Sequence, residues 1–176
     1  MTNPAYPPPP PYQNQAPAAA VAPPGSVNGA FFIYVLAALV ALLGIILTLT
    51  SSVWNDAIAA NVNTSGTDVH TLVNTVKITT AVFGVIFLAL YLFFAFKMRA
   101  GRNWARIVLT VLSALSIISS FSASATVKVN GQVYKSTSTQ FVGWIGVVLA
   151  IIAIVLMFLP ASNAYFSASR AARQRV

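Results

Sequence analysis

Four long apolar runs dominate the pattern of hydrophobic and polar positions along the chain. They cover about residues 30–50, 78–96, 104–124 and 141–159. Each run approaches the roughly 20 residues that an α-helix needs to cross the hydrocarbon core of a bilayer. The pattern predicts an all-α membrane protein in which residues 29–166 form a four-transmembrane-helix bundle.

The ends of these runs carry residues that suit a membrane boundary. Trp54, Trp104 and Trp144 all lie near run ends, and indole rings prefer the headgroup layer. Pro160 directly follows the fourth run, and proline does not continue a helix. The first run is too long for a cleaved signal peptide and follows a segment without positive charge, so we expect it to remain as an anchor.

Polar segments flank the predicted bundle at both ends of the chain. Residues 1–28 hold nine of the ten prolines and no charged side chain. Such a composition cannot form a packed core, so it predicts a disordered, proline-rich cytoplasmic tail. Residues 167–176 contain three arginines and are predicted to form a basic cytoplasmic tail.

The connection between the third and fourth runs predicts a small β-hairpin. It reads TVKVNGQVYKS, in which Asn130 and Gly131 separate two short β-prone stretches. Asparagine and glycine both tolerate the positive φ angles of a type I′ turn. We expect residues 126–129 to pair with residues 132–135 on the extracytoplasmic side.

Positive residues are distributed unevenly between the two sides of the predicted bundle. One side receives Lys77, Lys128 and Lys135. The other side receives seven cations: Lys97, Arg99, Arg102, Arg106, Arg170, Arg173 and Arg175. Because Lys and Arg in short loops stay cytoplasmic, we expect a multi-pass protein of the plasma membrane with both termini in the cytoplasm.

Composition excludes several classes of function. Hydrophobic residues make up 57% of the chain and charged residues 7%, which excludes an ordinary soluble domain. The chain has no cysteine, one histidine and two acidic residues, so it offers no thiolate site, metal-ligand cluster or catalytic constellation. The centres of the runs carry no Asp, Glu, Lys, Arg or His, and coupled pumps usually need such a group. We therefore expect no enzyme activity, no cofactor, no metal ion and no nucleic-acid partner.

Small residues recur at helical spacing in two of the runs. They are Ala37, Ala41 and Gly44 in the first run and Gly143, Gly146, Ala150 and Ala153 in the fourth. In lipid, such stripes let helix backbones approach closely. We expect both stripes to be helix contacts, so leucine at Gly146 or Ala150 should destabilise the bundle.

Hydroxyl side chains form a broad face on the third run. They are Thr110, Ser113, Ser116 and Ser120. Serine and threonine in membrane helices often donate to their own helix backbone or to a neighbouring helix. We expect such bonds here, and a polar path for a neutral solute is the alternative.

The sharpest motif is the hexapeptide G-R-N-W-A-R at residues 101–106. Together with the proline- and tyrosine-rich tail and the four apolar runs, it resembles small four-span membrane proteins that are common in actinobacteria. The resemblance implies no established activity. Within the motif, glycine permits a tight connection, tryptophan suits the interface, and the guanidinium groups of Arg102 and Arg106 can bind lipid phosphates in a bidentate manner.

Basic and aromatic residues around this motif are the candidate contacts for anionic lipid headgroups or for a partner. They are Lys97, Arg99, Arg102, Trp104, Arg106, Arg170 and Arg173. The alternative is that the positive charges only orient the chain in the membrane.

Two classes of function fit these features. The first is a non-enzymatic envelope protein with an interaction or structural role, which associates with itself or with another membrane protein. The second is a channel or carrier for a small neutral solute, whose path would use the hydroxyl face of the third run.

Overall fold

Five helices and two short strands form the main regular structure of the described chain. The computed structural model describes residues 21–52, 56, 69–122, 126–129, 132–135 and 137–174. The helices are α1 (Gly25–Thr50), α2 (Val69–Arg99), α3 (Asn103–Ser122), α4 (Thr137–Phe158) and α5 (Pro160–Gln174). The strands are β1 (Thr126–Val129) and β2 (Gln132–Lys135).

The prediction of four apolar helices of membrane length is confirmed. Each of α1, α2, α3 and α4 is long and apolar enough to cross a bilayer. α2 starts at Val69, well before the apolar run that begins at residue 78. At about 1.5 Å per residue, α2 is longer than the ~30 Å hydrocarbon core. The chain thus has the build of a multi-pass membrane protein.

The structure describes part of each predicted tail, and in both cases that part includes helix. Residues 1–20 lie outside the described residues, but α1 already begins at Gly25, within the segment predicted to be disordered. The early start follows from packing, because Val27 is fully buried. At the other end, residues 167–174 belong to α5.

β1 and β2 pair in antiparallel orientation. Thr126 lies opposite Lys135, and Val129 lies opposite Gln132. The expected turn residues, Asn130 and Gly131, lie outside the described residues. The complete hairpin and its side of the membrane therefore stay predictions.

The four long helices pack in a ring. α1 packs most extensively against α4 and next against α2, whereas the α2–α3 and α3–α4 contacts are smaller. Residues 100–102 connect α2 to α3, and Leu159 connects α4 to α5, so both connections lie at one end of the bundle. We call this end the turn end, and we call the opposite end, where α3 leads to β1, the hairpin end.

The buried core lies in the half of the bundle next to the turn end. Its members are Val27, Ala30, Phe31, Tyr34, Ala95, Met98, Ala105, Leu109, Ala153, Met157, Tyr165 and Phe166. Those on the four long helices lie within about three helical turns, at ~5.4 Å each, of the turn end. The turn-end half is therefore the tightly packed part of the bundle.

α5 packs against the turn end as an amphipathic helix. Pro160 is its first residue, a position at which the missing N–H costs no helical hydrogen bond. Ser162, Tyr165 and Phe166 are its buried residues, and their spacing places them on one face. That face closes the core at the turn end.

Candidate functional site

A Schellman motif ends α2 at the connection to α3. The N–H of Gly101 donates to the carbonyl of Met98 at 2.9 Å, and the N–H of Arg102 donates to the carbonyl of Lys97 at 3.2 Å. Gly101 has a φ of 74°, which glycine adopts without steric strain. The glycine of the G-R-N-W-A-R motif therefore has a conformational role.

α5 covers Gly101 closely. A Cβ atom at this position would lie 2.6 Å from Ser169 Oγ and 3.2 Å from Tyr165 Oη. Tyr165 Oη donates to the carbonyl of Arg99 at 2.8 Å, and the Arg173 guanidinium donates to the carbonyl of Gly101. The last carbonyls of a helix have no partner within it, so α5 supplies donors that the end of α2 needs.

Arg106 is a packed residue of the interior. Only 7% of its surface is exposed. Its Nη2 donates to Asn163 Oδ1 at 2.7 Å, and its guanidinium carbon lies 4.0 Å from the ring centroid of Phe158 and 5.0 Å from that of Phe166. This arginine therefore joins α3 to α4 and α5.

The start of α1 is bonded to the same end of the bundle. Arg99 Nε donates to Asn28 Oδ1 at 3.1 Å. Ser162 Oγ donates to the carbonyl of Leu156 at 2.7 Å, so the 2.8 Å contact between Ser26 Oγ and Ser162 Oγ uses Ser26 as the donor. All five helices thus contribute polar contacts at the turn end.

We call this set of contacts the turn-end seal. Its residues are Ser26, Asn28, Arg99, Gly101, Arg106, Ser162, Asn163, Tyr165 and Arg173.

The arginines at the candidate contact positions separate into two groups. Arg99, Arg106 and Arg173 donate to protein acceptors within the turn-end seal. Arg102 and Arg170 are exposed, and their guanidinium groups make no hydrogen bond to another residue in the described ranges. Arg102 and Arg170 therefore keep all of their guanidinium donors available to an external anion.

The other two candidate contacts border the turn end. The Lys97 ammonium nitrogen lies 5.3 Å from the ring centroid of Phe93. Trp104 is 46% exposed, and its ring meets the ring of Phe94 edge to face at 5.8 Å. Both residues are placed to meet the headgroup layer if the turn end lies at a membrane surface.

A polar pocket of about 270 Å³ lies between α3 and α5. Asn103, Arg106, Asn163, Arg170 and Gln174 contribute polar groups to its lining. The lining holds two guanidinium groups and, as far as the described residues go, no carboxylate. The lining of the pocket is therefore positively charged.

A larger cavity, of about 940 Å³, occupies the half of the bundle next to the hairpin end. All four long helices line it, from Tyr91 and Ser113 near mid-depth to Thr48, Ser120 and Thr139 near the hairpin end. No charged side chain is among its described lining residues. We call this space the hairpin-end cavity.

The predicted small-residue stripes border this cavity. Ala37, Ala41, Gly44, Gly143, Gly146 and Ala150 line it, whereas Ala153 is fully buried in the core. A Cβ atom at Gly143 or Gly146 would meet nothing within 4 Å. The expected close approach of helix backbones is therefore not found at these two glycines, because the helices leave an open space there.

Close helix approach occurs instead at Gly84, which the stripe pattern does not single out. A Cβ atom at Gly84 would lie 2.8 Å from Ile45 Cδ1, so α2 and α1 meet closely there. Glycine inside a helix costs about 1 kcal/mol relative to alanine. That cost is the signal in the sequence that could have identified this position.

The hydroxyl face of α3 is not uniform. Thr110 Oγ1 donates to the carbonyl of Arg106 at 2.9 Å, and Ser120 Oγ donates to the carbonyl of Ser116 at 2.8 Å, as expected for bonds within one helix. Ser113 Oγ is buried and has no hydrogen-bond partner in the described part of the chain. Ser113 therefore makes no bond to its own helix, and its nearest hydroxyl groups belong to neighbouring helices.

Two tyrosines lie beside Ser113. Tyr34 Oη is also buried without a hydrogen-bond partner among the described residues. The rings of Tyr34 and Tyr91 meet edge to face at 5.3 Å, and Ser113 is a neighbour of both hydroxyls. We call Tyr34, Tyr91 and Ser113 the hydroxyl cluster.

The described residues contain no group of three or more His, Cys, Asp or Glu side chains that could hold a metal ion. Comparisons of the chain with protein-family models, with curated proteins and with solved structures find no match. The resemblance to actinobacterial four-span proteins stays a prediction.

Proposed function

We propose that the protein is a non-enzymatic component of the cell membrane whose turn end binds the phosphate groups of anionic lipids. The observation that carries the proposal is the lack of acidic side chains at the turn end. The two acidic residues of the chain, Asp56 and Asp68, both belong to the connection between α1 and α2, which follows the hairpin end of α1. The cations of the turn end therefore need an external counter-ion.

Arg102 and Arg170 are the residues best suited to hold that counter-ion. Both are exposed, and Arg170 lines the polar pocket together with Asn103 at the first position of α3. A guanidinium group matches phosphate oxygens in a bidentate manner. Each Lys or Arg near an anionic surface contributes about 1 kcal/mol of attraction.

The same charge distribution supports an orientation in the membrane. Because short cationic connections stay inside, the turn end and both termini would face the cytoplasm, and the hairpin would be extracytoplasmic. The proline-rich tail would then be a disordered cytoplasmic tether. Exposed apolar side chains such as Phe87 on α2 would face lipid, a second copy of the chain or another membrane protein.

A lipid-retention experiment tests the headgroup proposal. Arg102→Gln and Arg170→Gln are combined, and the anionic lipids that remain on the purified protein are counted by native mass spectrometry. Five cations remain on the turn-end side against three on the other, so the orientation should be kept. We expect fewer anionic lipids on the double variant than on the wild type.

The matched control removes the same charge from the other end. Lys128→Gln and Lys135→Gln are combined, and the retained anionic lipid should equal that of the wild type. Equal retention by all three proteins would leave orientation as the only role of the turn-end charges. Equal loss in both double variants would show attraction by net charge alone.

A further inference from the structure

The hairpin-end cavity combines a large volume with the hydroxyl side chains of Ser113 and Tyr91 at its inner end. We propose that it binds an uncharged amphiphile, which is a hydrocarbon chain that carries one hydroxyl or carbonyl oxygen. The proposal is independent of lipid binding at the turn end, because it uses none of the residues there.

The hydroxyl cluster provides the polar part of the site. Tyr34 Oη and Ser113 Oγ are both buried, and neither has a hydrogen-bond partner within the described residues. A buried hydroxyl without a partner destabilises a folded protein, so each such group needs an explanation. Tyr34 is not among the lining residues of the cavity, and its hydroxyl neighbour is Ser113. A ligand oxygen beside Ser113 could accept a hydrogen bond from Ser113 Oγ, which in turn could accept one from Tyr34 Oη.

The rest of the lining suits a hydrocarbon chain. Thr48 Oγ1 donates to the carbonyl of Gly44 at 2.8 Å, and Ser120 Oγ donates to the carbonyl of Ser116 at 2.8 Å. These hydroxyl donors are already used by their own helices. Apolar side chains and glycines such as Gly146 form most of the remaining surface, and further hydroxyls, those of Thr80, Ser116 and Ser119, are spread along it.

The depth of the hydroxyl cluster determines where the oxygen of the ligand would lie in the membrane. At ~1.5 Å per residue, Tyr34, Tyr91 and Ser113 lie about 12–15 Å from the turn end, close to the middle of a ~30 Å hydrocarbon core. Beyond them the buried core, which includes Met98 and Leu109, fills the turn-end half. The buried core therefore closes the cavity on the side of the turn end.

The size and charge of the cavity limit the class of ligand. Its volume of about 940 Å³ lies within the roughly 300–1,000 Å³ of typical ligand pockets. A charged headgroup would lose its hydration there without a counter-ion among the described lining residues, which is strongly unfavourable. The favoured ligand is neutral, with one polar group and an apolar chain.

Binding of radiolabelled oleyl alcohol to the purified protein in detergent micelles tests the proposal. Octadecene, a hydrocarbon of the same length without oxygen, is the matched probe. The wild type should retain oleyl alcohol saturably and more tightly than octadecene. Tyr34→Phe combined with Ser113→Ala should weaken binding of the alcohol roughly three- to tenfold, as for one lost hydrogen bond, and should leave octadecene binding unchanged.

Two further measurements separate loss of the site from loss of the fold. Gly146→Leu should remove binding of both probes, because its side chain would enter the cavity. The thermal midpoint of the Tyr34→Phe and Ser113→Ala double variant should match or exceed that of the wild type, because two unpartnered hydroxyls are gone.

Three results would overturn the proposal. The hydroxyl cluster would have no role in recognition if the double variant bound oleyl alcohol as the wild type does. The ligand would lie elsewhere if the Gly146→Leu variant kept its binding. A flux of glycerol through vesicles with the wild type, and none with Gly146→Leu, would make the cavity a solute path instead.

Discussion

The connection between α2 and α3 requires a glycine at position 101. We expect Gly101→Ala to lower the free energy of unfolding by about 1–2 kcal/mol from the left-handed φ alone. The added Cβ would also crowd Ser169 and Tyr165 on α5. The measurement is the thermal midpoint in detergent, which should fall.

The control for this substitution is Gly143→Ala on α4. Nothing lies within 4 Å of a Cβ atom at Gly143, and alanine favours a helix over glycine. Its midpoint should equal or exceed that of the wild type. If Gly101→Ala behaved like this control, the close fit between the connection and α5 would be refuted.

The two arginines of the hexapeptide have different environments that the sequence alone does not distinguish. Arg102 and Arg106 have the same side chain in the same motif, so both are candidate headgroup contacts. The structure exposes Arg102 but buries Arg106, which donates to Asn163, 57 positions away in the chain. A partner at that distance becomes visible only when α5 is placed against α3.

Among the elements, the long helices are the part that the sequence predicts well. An apolar run of bilayer length is a local property, so it identifies a helix without knowledge of its neighbours. α5 is different, because no long apolar run marks it and its buried face consists of three residues, Ser162, Tyr165 and Phe166. The sequence therefore predicts a basic tail where the structure has a docked helix.

The small-residue stripe of α4 also shows where prediction from the sequence fails, here within a single helix. Helical spacing places Gly146 and Ala153 on one stripe, and the sequence predicts close contacts for both. In the structure Ala153 lies in the core, whereas Gly146 borders the cavity. Spacing identifies the face of a helix, but the depth at which that face meets a neighbour depends on how the helices diverge.

Leucine at these two positions should affect the stability of the bundle differently. Ala153→Leu adds bulk at a fully buried position and should lower the free energy of unfolding by roughly 1–3 kcal/mol. Gly146→Leu should leave the thermal midpoint close to that of the wild type, contrary to the expectation from the sequence alone. A similar large loss in both variants would show that α4 packs tightly along its whole length.

The whole molecule is asymmetric from one end to the other. The turn end combines the turn-end seal, the core and most of the positive charge. The other half of the bundle holds the hairpin-end cavity. A closed basic end is suited to the cytoplasmic surface, where anionic lipids lie. We infer that the turn end faces the cytoplasm and that the hairpin-end cavity belongs to the outer half of the membrane.

Single-cysteine labelling measures this orientation, because the chain has no cysteine of its own. Cysteine is introduced separately at Ser65, Gln132, Ala168 and Gln174, and intact cells are treated with a membrane-impermeant maleimide. We predict labelling at Ser65 and Gln132 only, with all four positions labelled after the cells are lysed. Labelling of Ala168→Cys and Gln174→Cys in intact cells, without labelling of the other two, would show that the turn end faces outward and would contradict this orientation.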